Sequence, residues 1–205
     1  MNATQNQTHE NVFKRILWLY GLYSLLNLVS FLTGYYLLPE GLMHGSPYSA
    51  IGSFVATASS SWSEFGFTLF FNLGTLIVVC VLTNLQQLRG IPMGYVVPII
   101  LGILSGLVSG TNSFAASDLK QFNAWDGMAL GMSIGGLEML AYVLVISATA
   151  NIGLYNYGNL LQWHGKKIKN LREIRLSTPE VFCLGLGILL IVFAAYRETV
   201  MTINL

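Results

Sequence analysis

The stretch Gly127-Met-Ala-Leu-Gly131-Met-Ser-Ile-Gly135-Gly-Leu-Glu138-Met-Leu-Ala-Tyr142-Val-Leu-Val-Ile-Ser-Ala-Thr-Ala-Asn151-Ile-Gly153 decides how this chain is built. It is apolar for longer than a bilayer requires, and it carries Glu138, the only acid lying well inside any of the long apolar stretches. A carboxyl group at membrane depth is costly unless it is protonated, paired or wetted, so Glu138 marks either a functional site or a polar contact between helices.

Working outward, the rest of the chain shares this apolar character. Hydrophobic residues make up 54% and charged residues 9% of the sequence, where soluble domains carry roughly 25% charge. This composition predicts an integral membrane protein. With 205 residues there is room for about five or six spans of roughly 20 residues and none for a separate soluble domain. The net charge of +1 gives no reason to expect a nucleic-acid partner.

Five spans are predicted, at about residues 13–38, 65–88, 93–114, 127–157 and 179–196, giving a single all-α, polytopic helical bundle over residues 1–205. Pro39 and Gly41 end the first, and Ser177-Thr-Pro-Glu180 opens the last with a capping box and a proline near the first helical position. Phe13 onward is too long an apolar run for a secretory leader and lacks a small-residue cleavage site, so it reads as a retained helix.

Five spans place the termini on opposite sides. With the N-terminus cytoplasmic, Lys14, Arg15, Arg89, Lys166, Lys167, Lys169, Arg172 and Arg175 lie inside, and Lys120 and Arg197 outside. The positive-inside rule selects this orientation, with the C-terminus outside and a basic cytoplasmic loop over residues 158–178 in a cell membrane. It also puts the glycosylation-like Asn2-Ala-Thr and Asn6-Gln-Thr on the wrong side for modification. Trp18, Tyr35, Tyr36, Trp62 and Trp125 fall near span ends, as interfacial aromatics do. In the external segment 39–64, Ile51, Phe54, Val55 and Ala58 have helical spacing, which suits packing onto the bundle or lying along the interface.

Glycines supply the next layer. Gly94, Pro98, Gly102, Gly106 and Gly110 fall four apart in span three, as do Gly127, Gly131 and Gly135 in span four. Each series forms a narrow stripe on which backbones approach closely, so spans three and four are expected to pack as a central pair; the same stripes would serve a homodimer. Gly135-Gly136 also offers a place to break span four. A helix restarting there would put Glu138 in its first turn, near free N–H groups. A continuous helix leaves Glu138 close to mid-membrane, protonated or hydrogen-bonded, with Asn72, Asn112 and Tyr142 as candidate neutral partners.

Catalytic and metal signatures are missing. His9, His44 and His164 lie outside the spans, no second acid accompanies Glu138, and no zinc-protease or phosphate-loop motif occurs. Cys80 and Cys183 read as small core hydrophobes. Asn27, Asn72, Asn84 and Asn151 are typical of helix contacts. No enzyme activity and no cofactor are expected.

Five spans, an external segment after the first, Phe70-Phe-Asn72 opening the second, and Ile134-Gly135-Gly-Leu-Glu138-Met-Leu-Ala141 in the fourth resemble the stage II sporulation protein M family over about Phe13 to Gly158. The family's His-Gly-x-x-Glu-x-x-Ala motif is matched at Gly135, Glu138 and Ala141, with Ile134 in place of the His. Its Asn-Gly at the end of span three is replaced by Gly110-Thr-Asn-Ser113. The resemblance implies a non-catalytic bundle acting as scaffold or accessory subunit of a larger membrane complex. The other reading is a small transporter or channel-like protein that uses Glu138.

Overall fold

The structure is a computed structural model that describes residues 11–46, 50, 54–55, 57–114, 123–162 and 164–203. It is a helical bundle containing five helices long and apolar enough to cross a membrane. They are α1 (Val12–Leu37), α2 (Ser61–Asn84), α3 (Val96–Gly110), α4 (Ala124–Thr149) and α5 (Thr178–Ile203).

Helix α4 is the centre. In its Gly135–Ile152 window 72% of residues are buried, against 17–44% in the other spans. Every residue from Ala141 to Ala150 is buried, which is why this stretch is apolar all round and not amphipathic. Met139, Val143, Ile146, Leu19, Leu76 and Ile191 join there in one core, and Cys80 and Cys183 are buried free thiols. Outward, Leu25 on α1, Phe70 and Ile77 on α2, and Leu189 and Phe193 on α5 are exposed, forming the apolar belt a bilayer covers.

The glycine stripe of span three does not pair with span four. The most extensive helix interface lies between α1 and α3. A Cβ on Gly102 would stand 3.0 Å from the Tyr23 carbonyl oxygen; on Gly106 it would run into the Asn27 carbonyl oxygen, and on Gly110 into that of Phe31. The expected central pair is therefore replaced by α1 against α3, because the small faces of both helices meet there: Gly34 lies directly over Gly110. In α4 Gly131 approaches α3 through Ser109, while Gly135 meets nothing within 4 Å. Gly127 is buried and its N–H bonds the Asn123 carbonyl. Helix α4 packs chiefly on α5, where Gly187 lies against Ala141 and Val145.

Two expected spans end earlier than their apolar runs. Span two, read to residue 88, stops at Asn84, and span four, read to residue 157, stops at Thr149 and a short 3-10 turn, Ala150–Ile152. The remaining residues form a small sheet of order β2-β1-β3-β4, made of β1 (Gln86–Leu88), β2 (Ile91–Pro92), β3 (Tyr155–Tyr157) and β4 (Lys166–Lys167). Strands β1 and β3 run parallel, with Gln86 opposite Tyr155. A two-residue turn closes the β1–β2 hairpin, with positive φ at Arg89 (52°) and Gly90 (85°), as type I′ turns require. The sheet ties the α2–α3 turn to the α4–α5 connection.

Helix α2 holds a second feature without a sequence marker: residues Thr75–Val81 wind as a π-helix. Asn72 and Asn84 flank that segment, and both side chains bond α4. Regular α winding over twelve residues would turn Asn84 about 120° away from Asn72. The slower winding of the π segment takes that rotation back, so one helix presents two amides to one neighbour. In the segment between α1 and α2, the Phe54 ring lies 5.2 Å from Phe67 and 5.8 Å from Phe71, so this part packs on the bundle; Ile51 lies outside the described residues.

Two outcomes are expected. Gly106→Ala costs about 1–3 kcal/mol because the new methyl meets backbone, whereas Gly135→Ala is neutral or gains up to about 1 kcal/mol in helix propensity; equal thermal midpoints in detergent would contradict this packing. Deleting the exposed Val78 restores regular winding with the amides eleven positions apart in sequence and about 20° apart around the helix, and costs under about 1 kcal/mol. Loss of the folded monomer on size exclusion would contradict this account of the π segment.

Candidate functional site

The polar groups of the bundle gather in three places, and Glu138 sits in the one between α2 and the middle of α4. Asn72 Nδ2 on α2 donates to Glu138 Oε1 on α4 at 2.5 Å. The Tyr142 hydroxyl, one turn further along α4, donates to Asn72 Oδ1 at 3.2 Å. The Asn72 amide thus bridges the two side chains, giving and accepting at once, which is what an amide at this depth must do to leave no polar atom stranded. Helix α4 is uninterrupted through Gly135-Gly136, so Glu138 is a mid-helix residue, not the first residue of a restarted helix.

Around this centre α1 and α3 add a second hydrogen-bonded group. Asn27 Nδ2 donates to Ser105 Oγ at 2.8 Å, and Tyr23 shares a hydrogen bond with Ser105 and lies within electrostatic reach of Glu138. On the other side, Glu198 of α5 is within electrostatic reach of both Glu138 and Glu64. Glu64, Thr68 and Asn72 are four apart on α2 and share one face. Thr68 is 5% exposed, and its buried hydroxyl has no hydrogen-bond partner among the described residues.

Asn112 does not belong with Glu138. Its Nδ2 donates to Glu40 Oε1 at 2.6 Å, at the end of the bundle remote from the sheet. There Gly41 N–H bonds the Thr111 carbonyl at 2.7 Å and Met43 N–H bonds Ser113 Oγ at 3.1 Å. The residues after α1 are thereby fastened to the end of α3, which is why Asn112 is spent on Glu40.

The third place lies where α1 and α5 begin, and sequence reading did not assemble it. Arg15 and Glu180, counted as a topology charge and a capping residue, form a buried salt bridge at 2.8 Å. Asn151 Nδ2 donates to the same carboxylate oxygen at 2.7 Å. Ser177 N–H donates to the other oxygen at 2.8 Å, completing the cap of α5. One carboxylate thus joins α1, the end of α4 and the start of α5. The capping pattern pointed to Glu180, but nothing local links it to an arginine 165 residues away. Nearby, Asn84 Nδ2 bonds both the Ile146 carbonyl and Thr149 Oγ1 at 2.8 Å.

Among the described residues no group of three or more His, Cys, Asp or Glu side chains is placed to hold a metal ion. No model of a protein family, no characterised protein and no solved structure matches this chain.

Arg15→Met strands the Glu180 carboxylate and costs about 3 kcal/mol, the low end for a buried pair because this one sits at helix ends. Adding Glu180→Gln removes the stranded charge and recovers most of that loss. Thermal unfolding of the single and double variants in detergent checks it, and a double variant as unstable as Arg15→Met would rule the pair out as the cause.

Proposed function

We propose that this protein is a non-catalytic integral membrane protein that serves as scaffold or accessory subunit of a larger membrane assembly, with the sheet end of the bundle in the cytoplasm. The observation that carries the reading is the bonding of Glu138: its carboxylate is taken up by Asn72, itself held by Tyr142, inside a continuous central helix. A carboxylate so engaged fixes one helix against another, which is the commonest use of polar groups between membrane helices. The orientation is supported by Lys14, Arg89 and the loop cations Lys166 to Arg175 at the sheet end, against Arg197 and Lys120 in the opposite-end part of the sequence. The match at Gly135, Glu138 and Ala141 to the stage II sporulation protein M family supports the same reading, and Ile134 in place of the family's His removes a group that chemistry would use. Partners in this reading are other membrane subunits, or a second copy of the chain, within the lipid bilayer.

A specific observation favours a second reading, a small transporter or channel-like protein. Glu64, the unpartnered Thr68 hydroxyl and Glu198 lie between the sheet-remote end of α2 and Glu138, a sequence of polar groups along which a cation could enter.

Glu138→Gln separates the two. In the subunit reading the isosteric amide still accepts from Asn72, so the protein folds and its co-purifying partners, identified by mass spectrometry after gentle extraction, are unchanged. Recovery of the wild-type protein as a free monomer alone would count against it. In the transport reading the same substitution abolishes cation-coupled flux in proteoliposomes.

A further inference from the structure

The sheet end of the bundle holds a cavity of about 540 Å³ lined by Leu154, Tyr155, Lys167, Asn170, Leu171, Arg172 and Glu173. Its walls are of two kinds. Leu154 and Leu171 are apolar, with Tyr155 between, while Lys167 and Arg172 bring two cations that enter no salt bridge among the described residues. The neighbouring cation is committed elsewhere: Lys169 Nζ donates to the Asn151 carbonyl at 3.1 Å. The one acid is also engaged, since Glu173 accepts from Asn170 N–H at 3.1 Å and from Asn170 Nδ2 at 2.7 Å. Those hydrogen bonds, with Lys167 and Lys169 in electrostatic reach, hold the Glu173 carboxyl below the usual range, so it stays ionised and offsets part of the positive charge of the lining.

The position of this cavity matters as much as its lining. It lies beside the end of α4 and just before α5 begins at Thr178, where two candidate spans leave the apolar layer. Flanking it are large aliphatic side chains that no protein surface covers: Leu160 is 76% exposed, Leu161 89%, Ile168 41% and Leu171 69%. Such side chains interleaved with Lys166, Lys167, Arg172 and Arg175 are disfavoured in open water. They suit the boundary of a bilayer, where aliphatic groups enter the acyl region and cations meet headgroup phosphates. An exposed tyrosine, Tyr155 at 40%, completes the interfacial pattern.

We propose that this cavity takes the phosphate of an anionic phospholipid from the adjoining leaflet, with Lys167 and Arg172 on the phosphate and Leu154, Leu171 and Tyr155 against the glycerol and first methylenes. Arg172 supplies a planar fork suited to two phosphate oxygens and Lys167 a point charge. The inference goes beyond the subunit reading and holds whether the bundle is a subunit or a transporter. Its consequence is that bound lipid braces the α4–α5 connection, and with it the strand pair β3–β4.

The test uses the full chain in nanodiscs and mass spectrometry of retained lipid, with phosphatidylglycerol competing against phosphatidylcholine. Wild type retains phosphatidylglycerol preferentially. Lys167→Ala with Arg172→Ala lowers that preference by roughly thirtyfold, as two cations at an anionic surface imply. Lys14→Ala with Lys166→Ala removes the same charge at this end while sparing the cavity, because Lys166 alternates to the other face of β4, and it leaves the preference intact. All four side chains are outside the core, and an unchanged thermal midpoint verifies folding. Equal loss in both double variants would overturn the proposal in favour of a diffuse basic surface. Displacement of the lipid by millimolar inorganic phosphate would overturn it in favour of a site for soluble phosphate, and equal retention of the two lipids in wild type would overturn it outright.

Discussion

The rest of this structure depends on the cost of carrying polar groups into hydrocarbon, which drives the amides and carboxylates of the bundle to find partners inside the protein. The Gly135–Ile152 part of α4 is the most buried of the spans, and the carboxylate of Glu138 meets side chains of its neighbours there. Asn72 meets it from α2, and Asn84 reaches the Ile146 carbonyl and Thr149 two to three turns further down the same pair of helices. The π segment between those asparagines is what allows both contacts from one helix. A straight α2 of the same length would satisfy one amide and strand the other, at a cost of roughly 1–3 kcal/mol for the stranded group.

The two ends of the bundle are organised by different means. At the sheet-remote end, backbone and short side chains around Thr111, Asn112 and Ser113 hold the residues that follow α1. At the sheet end a charged node, Arg15 with Glu180, gathers three helix termini, and the small sheet lies over it. Between the two ends, close backbone approach at Gly102 and Gly106 of α3 works together with the Asn27–Ser105 hydrogen bond to join α1 and α3.

Glu138, Asn72 and Tyr142 could be named from the sequence because a polar residue in an apolar run is costly wherever it lies, and that cost is a local property. Asn112 satisfied the same criterion and yet bonds Glu40, since the criterion says that a partner is needed without saying which. Arg15 and Glu180 were visible only as separate roles. Their pairing follows from the parallel placement of α1 and α5, which no local pattern encodes. The Gly102, Gly106 and Gly110 stripe showed the same division: it announced close approach, and α1 turned out to be the helix that approaches.

The sequence by itself determined the membrane class, the count and approximate places of the five candidate spans, and the residues whose burial demands a partner. These follow from hydropathy and from the price of desolvating a single group, which are summed over neighbouring residues. Only the tertiary structure decided that α1 and not α4 lies on the glycines of α3. It alone decided that Gln86–Leu88 and Tyr155–Tyr157 become strands, and that α2 winds more slowly between its two asparagines. Each of those outcomes depends on which distant segment stands alongside. A helix, a strand and a π turn can share the same local preference, and the neighbour that satisfies their backbone and side chains chooses between them.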